Sequence, residues 1–297
     1  MPIINQIVKG GGTTPTGTIQ ITNNGVTDVT NYASADVQVP TTAPALYREY
    51  SIDGNGKLSY STAPVMDFSN VTEIGYAACE SLYSYNTNIT GIVDLHSLTV
   101  IQDNGCSGMY SPCPNITGVN LSSLSIVAFA NCVNSMFAGC TGLLSGNITM
   151  GITSFSGTTT AKSMFSGCTG LTNTNFLQSL QTINATQACE YMFYNCTGLT
   201  SATFTSLSQI GGSNSCRYMF AGCTNLTDIY YPALIGFLGS SSVKKSVFTN
   251  MCMGVTNVTL HFPSNMQSEV GTLTGYSTTA PFGATAGTVL FDLPATA

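Results

Sequence analysis

Charge is what this sequence has least of. Of its 297 residues, 7 are Lys or Arg and 13 are Asp or Glu, whereas roughly a quarter of an average soluble domain is charged. A nucleic-acid partner is not expected, because neutralising phosphates needs clustered Lys and Arg and the net charge here is -6. Between Glu80 and Lys162 the charged residues are Asp94 and Asp103, which is too sparse to steer a charged ligand.

Tryptophan, a secretory leader and a membrane span are also missing. The absence of Trp weakens the case for a dedicated sugar-stacking site, although Tyr can form one. Residues 1–5 lack the basic region and apolar run of a signal peptide, so we expect synthesis in a cytoplasm. No apolar stretch approaches the roughly 20 residues of a spanning helix, and membrane insertion is not expected.

Catalytic and cofactor motifs are scarce as well. The chain has two histidines, His96 and His261. Asp94 near His96 suggests part of a triad, but in so Ser-rich a chain we interpret both histidines as structural or surface residues. Residues 53–56 lack the twelfth-position ligand of a calcium loop, and no Gly-rich phosphate loop follows a strand. The sequence predicts no enzyme, no catalytic residue, no cofactor and no metal site.

What the sequence does contain is a repeat of 27 or 28 residues. Copies such as residues 191–199 and 218–226 share a Met-Phe pair followed by x-x-Cys-Thr-x-Leu. A fixed period of this length is the signature of a solenoid, in which each unit covers the apolar face of the next. We call the residue at the Met position of each copy its anchor, and a Tyr or Phe follows each anchor. The anchors are Leu82, Met109, Met136, Met164, Met192, Met219 and Val247. We therefore predict seven stacked coils.

Each coil is expected to contain a short helix, a turn and a strand. Cys189, Met192, Phe193 and Cys196 stand at i, i+3, i+4 and i+7, the spacing of one helical face. A Gly or Asn follows, as at Gly198, and we expect it to adopt a positive φ after the helix. Apolar residues then recur at offsets that suit a strand packed inward.

The cysteines follow the same repeat. On a helix, an i, i+7 pair is separated by a rise of roughly 10.5 Å, beyond the roughly 7 Å limit for a disulfide, and zinc-finger spacing is absent. Disulfides between adjacent coils and metal ligation remain alternatives. A structural ladder of reduced, buried thiols is favoured, and its members are Cys113, Cys140, Cys168, Cys189, Cys196, Cys216 and Cys223.

The outward face of the strands is the predicted binding surface. Alternation along a strand directs every second side chain away from the core. Asp228 is one of few charges in the repeat and Tyr230 offers an amphipathic ring, so we expect partner binding near these two. The alternatives are that the face is merely solvated, or that binding lies around Tyr83, Tyr85 and Tyr110. The predicted surface comprises Asn173, Asn175, Ser201, Thr203, Asp228 and Tyr230.

Two parts of the chain resemble known families. The Met-Phe-x-x-Cys-Thr-x-Leu-Thr core, with its following Leu and Ile, resembles BspA-like leucine-rich repeats over about residues 66–262. This implies an α+β repeat fold, a leucine-rich-repeat solenoid with a parallel β-sheet and short helices. Residues 17–40 are similar to a segment common in tail and fibre proteins of phages infecting gut bacteria. Read alone, residues 18–21 and 35–39 alternate around an Asn24-Gly25 turn and predict a small β-rich segment.

The expected organisation follows from these features. Residues 1–45 form a β-rich attachment and oligomerisation segment, 46–65 a connecting hairpin, 66–262 the seven-coil solenoid and 263–297 a C-terminal cap.

The resemblances imply a non-enzymatic phage virion surface protein, a tail fibre, head fibre or decoration protein, made in the host cytoplasm. Its expected partners are other virion proteins, bound through the N-terminal segment, and a host surface protein or glycan. We also expect it to form a homo-oligomer, and by analogy with fibres a trimer. One alternative is a bacterial or protist cell-surface adhesin. Another is a polysaccharide-cleaving tailspike, which needs a carboxylate pair in a groove.

Overall fold

The chain coils into a solenoid of about eight turns, one more than the seven coils predicted, and the predicted fold class is confirmed. The structure, a computed structural model, describes residues 68, 71–77 and 79–296 together with the backbone of five N-terminal strands. Each coil has three sides: a first strand row, a second strand row and a ladder of turns. Buried side chains from all three sides form one continuous core.

The first strand row is parallel throughout. Its strands, numbered in chain order with all others, are β7 Gly91–Asp94, β9 Ile116–Leu121, β11 Ile148–Met150, β14 Ser201–Thr203, β16 Asp228–Tyr230, β18 Val258–Pro263 and β19 Gly287–Leu293. They form one sheet of three strands and another of four. Between β11 and β14, a 3₁₀ helix at Asn175–Leu177 replaces the strand. Phe176 and Leu177 are both buried, which helical turns allow and a strand of period two does not.

The second strand row carries the return of each coil. Its strands are β6 Val71–Ile74, β8 Val100–Ile101, β10 Ile126–Val127, β12 Ser154–Phe155, β13 Thr182–Asn184, β15 Gln209–Gly211 and β17 Gly236–Phe237. All the pairs between its neighbouring strands are parallel. Most of these strands bury one apolar residue against the core, such as Ile183 or Ile210, whereas β6 buries both Val71 and Ile74.

The turn ladder occupies the segments predicted as short helices, and that prediction is wrong. The segments, 79–85, 104–111, 131–139, 159–167, 187–195, 214–222 and 247–254, are consecutive turns. The Met192 amide donates to the Cys189 carbonyl three residues back at 3.1 Å, whereas the Phe193 amide donates to Met219 of the next coil at 2.9 Å. Since alternate amides bond between coils, stacking supplies hydrogen bonds that a helix would make internally.

Left-handed residues close these turns, in positions other than those predicted. Gln187, Tyr191 and Asn195 recur every four residues with φ of 55, 58 and 56°. Gly198, predicted to need a positive φ, does not have one. A Cβ there would collide with the Thr169 carbonyl of the preceding coil. Glycine at this position therefore serves close backbone approach rather than left-handed geometry.

Short helices lie near the C-terminal end and at a few strand starts. The α-helices are α1 Ser241–Ser246 and α2 Gln267–Val270, and the remaining 3₁₀ helices are Ser145–Asn147, Ser264–Met266 and Pro281–Gly283. The residues predicted as a cap, 263–297, include β19, which pairs in parallel with β18. They therefore continue the first strand row for one further rung.

A column of aromatic rings runs through the core beneath the turn ladder. Tyr83 stacks on Tyr110 at 5.4 Å, and the stack continues through Phe137, Phe165 and Phe193. These residues follow the anchors of the repeat, so one sequence position yields one column. Tyr83 and Tyr110 are 1% and 2% exposed. They are therefore too buried to contact a partner, as the alternative binding region around Tyr83, Tyr85 and Tyr110 would require. Tyr85 stays on the surface at 70% exposure.

The N-terminal strands are antiparallel, as the alternation predicts. They are β1 Val8–Gly10, β2 Thr16–Asn23, β3 Val26–Ala33, β4 Asp36–Val37 and β5 Tyr50–Ser51. Asn23 pairs with Val26, so β2 and β3 form the predicted hairpin. Strand β2 also pairs with β6 of the solenoid. Apart from β5, the connecting hairpin predicted at 46–65 lies outside the described residues.

Candidate functional site: the C-terminal strand face

The outward side of β16, β18 and β19 brings distinctive side chains together. Parallel pairing sets Tyr230 beside His261 and Asp228 beside Thr259. The residue between them, Ile229, is fully buried, so the alternation of the strand directs Asp228 and Tyr230 outward.

His261 lies at the centre of this cluster. Its ring stacks on Tyr230 with centroids 4.2 Å apart and planes 12° from parallel. Its Nε2 lies 3.2 Å from Oδ1 of Asp228, and its Nδ1 lies 2.9 Å from Oδ2 of Asp292. An imidazolium would donate to both carboxylates, whereas a neutral imidazole donates to one. The arrangement holds the imidazole and both carboxylates in fixed orientations.

The surroundings keep the phenol of Tyr230 protonated. Partial burial raises the pKa of Tyr230, and the nearby carboxylates of Asp228 and Asp292 raise it further. A protonated phenol retains its O–H donor. The cluster therefore presents one donor beside two carboxylate acceptors.

Four of the six predicted binding residues meet on this face. Ser201 pairs with Asp228 and Thr203 with Tyr230, so the four form two adjacent rows. Asn173 and Asn175 lie in the preceding coil, where a 3₁₀ helix takes the place of the strand. Thr174 between them is buried and accepts the Thr203 amide at 2.9 Å, so the two asparagines flank a contact with β14.

Hydrogen bonds fix these two residues within their own coil and to the coil before it. The side-chain Oδ1 of Asn173 accepts the Asn175 amide at 3.1 Å, and its carbonyl accepts Oγ of Ser145 at 2.8 Å. Both asparagines stay predicted members of the binding surface.

The sequence interpretation missed His261 and Asp292 as members of the site. His261 was expected to be structural, and its ring is indeed half of a stack. Its carboxylate partners are 33 and 31 residues away in the sequence. Aligning the repeats could have predicted that His261 lies next to Tyr230, because the two residues occupy equivalent positions of neighbouring coils.

The cysteines line the core and make no disulfides. All eleven are buried and free. The thiol of Cys196 donates to the Phe165 carbonyl at 3.0 Å, and that of Cys223 donates to the Phe193 carbonyl at 2.9 Å. Each such thiol bonds to the aromatic residue of the preceding coil. Burial raises the pKa of the Cys196 thiol to about 12, so this thiol is unreactive at neutral pH.

Other chemistry is sparse in the described residues. His96 and Asp94 form an exposed pair with Nδ1 and Oδ1 3.0 Å apart. Within residues 68, 71–77 and 79–296, no group of three or more His, Cys, Asp or Glu could hold a metal ion. Across the described part of the chain, every helix is too short or too polar to cross a bilayer.

Comparison with known proteins identifies the repeat. Residues 85–269 match the BspA type leucine rich repeat region in six copies, whereas no curated protein matches the sequence. This match indicates a repeat protein of the surface or adhesin type, generally a non-enzymatic binding scaffold. With its repeat, its parallel strand rows and a match over more than half its length, the chain belongs to the BspA-type leucine-rich-repeat family.

Proposed function

We propose that this protein is a non-enzymatic adhesin whose outward strand face binds a protein or glycan on a bacterial surface. The observation that carries the proposal is the stacked Tyr230–His261 pair held between two carboxylates. Aromatic side chains with a polar tip dominate binding energy where they are held rigidly. The stack and the hydrogen bonds hold these rings before a partner arrives, so little conformational entropy is lost on binding.

The rest of the face suits contact with a large partner. The outward residues around the cluster, Ser201, Thr203, Thr259 and Thr288, are short and uncharged. Short side chains lose little rotamer entropy when a partner covers them. The cluster of Tyr230, His261 and the two carboxylates is therefore a polar centre surrounded by short Ser and Thr side chains.

The finer proposal is that the protein lies on a phage virion and attaches the particle to its host. It is supported by the similarity of residues 17–40 to phage tail and fibre segments and by a surface rich in Thr, Asn and Ser. On this proposal the N-terminal strands join the chain to other virion proteins or to further copies of itself, as a trimer. The solenoid then displays the strand face outward.

A cell-surface adhesin of a bacterium or protist is the second candidate. The family match favours it equally, because a surface or adhesin-type repeat protein fits either location. The same strand face would then bind from a cell envelope.

Location separates the two candidates. We expect quantitative mass spectrometry of purified particles to find the chain in fixed stoichiometry with the capsid proteins, and gold-labelled antibody to mark the particle surface. A particle preparation without the protein, together with its recovery from a cell envelope fraction, would establish the adhesin and overturn the virion assignment.

A further inference from the structure

A slot opens on the turn ladder, on a different side of the coil from the strand face. In three successive coils one position of the ladder is occupied by Tyr194, Ala221 and Met253. The rungs are joined by the Asn195 amide, which donates to the Ala221 carbonyl at 2.8 Å, and by the Gly222 amide, which donates to Met253 at 2.9 Å. Because a small side chain, that of Ala221, lies between two large ones in this stack, a gap opens above it.

The gap has the size of a ligand site. Its volume is about 320 Å³, within the roughly 300–1,000 Å³ of small-molecule pockets. Two rungs at about 4.8 Å each separate the backbones of its walls by roughly 10 Å. Tyr194 and Met253 form the walls and are 38% and 52% exposed. A single six-membered ring fits between two such walls.

The floor of the slot depends on a glycine. Gly222 has a φ of 75°, and a Cβ there would collide with Oδ1 of Asn195. The carboxamide of Asn195 therefore lies against the floor, where it offers a donor and an acceptor to an occupant.

Tyrosine rings form the back of the slot. Tyr191 and Tyr218 stack at 4.9 Å, and Tyr194 meets Tyr191 edge-on at 5.5 Å. The Tyr218 hydroxyl accepts from Nδ2 of Asn250 at 3.1 Å, which fixes its position. These contacts hold apolar ring surface and polar hydroxyls in one rigid unit.

The neighbouring charges compensate one another beside the slot. Glu190 is 2% exposed, and its carboxylate lies 2.9 Å from Nζ of Lys162 and 3.6 Å from Nη1 of Arg217. Lys162 also lies over the Tyr191 ring and Arg217 over the Tyr218 ring. The residues that line the slot are all uncharged. An ionic ligand would find no opposite charge there to offset its desolvation.

We propose that this slot binds a neutral sugar ring of a glycan. A pyranose presents C–H groups to aromatic and thioether surfaces and hydroxyls to the Tyr and Asn groups, and it carries no charge. The site is separate from the strand face and does not depend on the function proposed for it.

The test is saturation-transfer NMR of the full chain with methyl glycosides of glucose, galactose, mannose and N-acetylglucosamine. We expect at least one glycoside to bind. Its affinity should fall about tenfold in Tyr194→Ala and in Met253→Ala, as removal of a stacking or packing wall predicts. Tyr85→Ala removes a ring of the same ladder far from the slot, which is exposed at 70%, and the glycoside affinity of this variant should stay unchanged.

Two results would overturn the proposal. One is no saturation transfer to any glycoside at about 10 mM, above the millimolar range of weak sites, or a glycoside affinity that is unchanged in both slot variants. The other is binding of p-cresol or indole in place of glycosides, which would assign the slot to an aromatic side chain of a protein partner. Thermal melting of each variant checks that it is folded.

Discussion

The imidazole of His261 lies flat on the phenol ring of Tyr230, with the two centroids 4.2 Å apart. The residues are 31 positions apart in the sequence and directly paired in the parallel sheet. Because both nitrogens of His261 also face carboxylates, the ring cannot rotate away without losing two polar contacts. Binding at this face should therefore depend on the stack as a unit.

Replacing Asp228 and Tyr230 together by Ala should weaken adsorption to the host surface about tenfold or more, as loss of a binding hot spot predicts. Folding should be affected modestly, because an aromatic pair contributes about 0.5–1.5 kcal/mol beyond burial. Binding is measured with isolated protein on host cells, and stability by thermal melting.

Thr149→Ala is the matched control, since Thr149 lies exposed on β11 of the same strand row. Undiminished adsorption by a folded double variant would move the binding site away from the C-terminal strand face.

Phe193 should be among the most sensitive positions in the core. Its ring is fully buried between Phe165 at 5.7 Å and Phe220 at 5.6 Å. Phe193→Ala should lower the free energy of unfolding by about 3–5 kcal/mol. Thr203→Ala on the strand face should lower it by less than about 0.5 kcal/mol. Urea denaturation of both variants provides the comparison, and equal losses would mean that the two faces are assigned wrongly.

Two cysteines provide a paired test of thiol hydrogen bonding. The thiol of Cys196 donates to the Phe165 carbonyl at 3.0 Å, whereas the thiol of Cys189 makes no hydrogen bond to the described residues. Cys196→Ser keeps a donor for that carbonyl, but Cys189→Ser buries an unsatisfied hydroxyl. We expect Cys189→Ser to be less stable than Cys196→Ser by about 1–3 kcal/mol. If urea denaturation finds Cys196→Ser to be the less stable variant, the thiol hydrogen bonds do not contribute to stability as proposed.

Stability should fall steeply in alkaline solution. Burial raises the pKa of Cys113 and Cys132 to about 11 and that of Cys196 to about 12, from an ordinary value of 9.0. Below pH 9.0 both the folded and the unfolded chain hold these protons, so stability is complete. Above it the unfolded chain loses thiol protons first, and the free energy of unfolding drops by about 1.4 kcal/mol per pH unit for each thiol.

Urea denaturation between pH 7 and pH 11 measures this loss. Cys196→Ala should show a slope that is shallower by about one thiol, or about 1.4 kcal/mol per pH unit. A free energy of unfolding that stays constant from pH 9 to pH 11 would contradict buried, protonated thiols.

A chain that begins near Leu46 should remain folded but fail to assemble. The hairpin β2–β3 meets the solenoid at two register positions, Thr22 with Glu73 and Asn23 with Val71. Its removal therefore leaves most solenoid contacts intact, whereas short strands alone need a partner for stability. Light scattering should give an oligomer, a trimer on our proposal, for the full chain and a monomer for the truncated one. Equal masses would show that assembly resides in the solenoid.

The sequence predicted the place of the turn ladder but not its conformation. Cys189, Met192, Phe193 and Cys196 face the core in a helix of 3.6 residues per turn, and they also face it in turns that repeat every four residues. Over eight residues the two periods differ too little to separate. The difference is made by the amide of Phe193, which bonds to Met219 of the next coil.

The repeat spacing by itself determined the number of predicted coils and the identity of each core column, because identical spacing must place Phe165, Phe193 and Phe220 in one stack. Tertiary structure decided which backbone groups pair between coils, and it decided the composition of the strand site. His261, Asp228 and Asp292 meet because neighbouring rungs are paired in register. These residues come from different coils and are distant in the sequence. Their contact therefore cannot be predicted until the pairing between the coils is known.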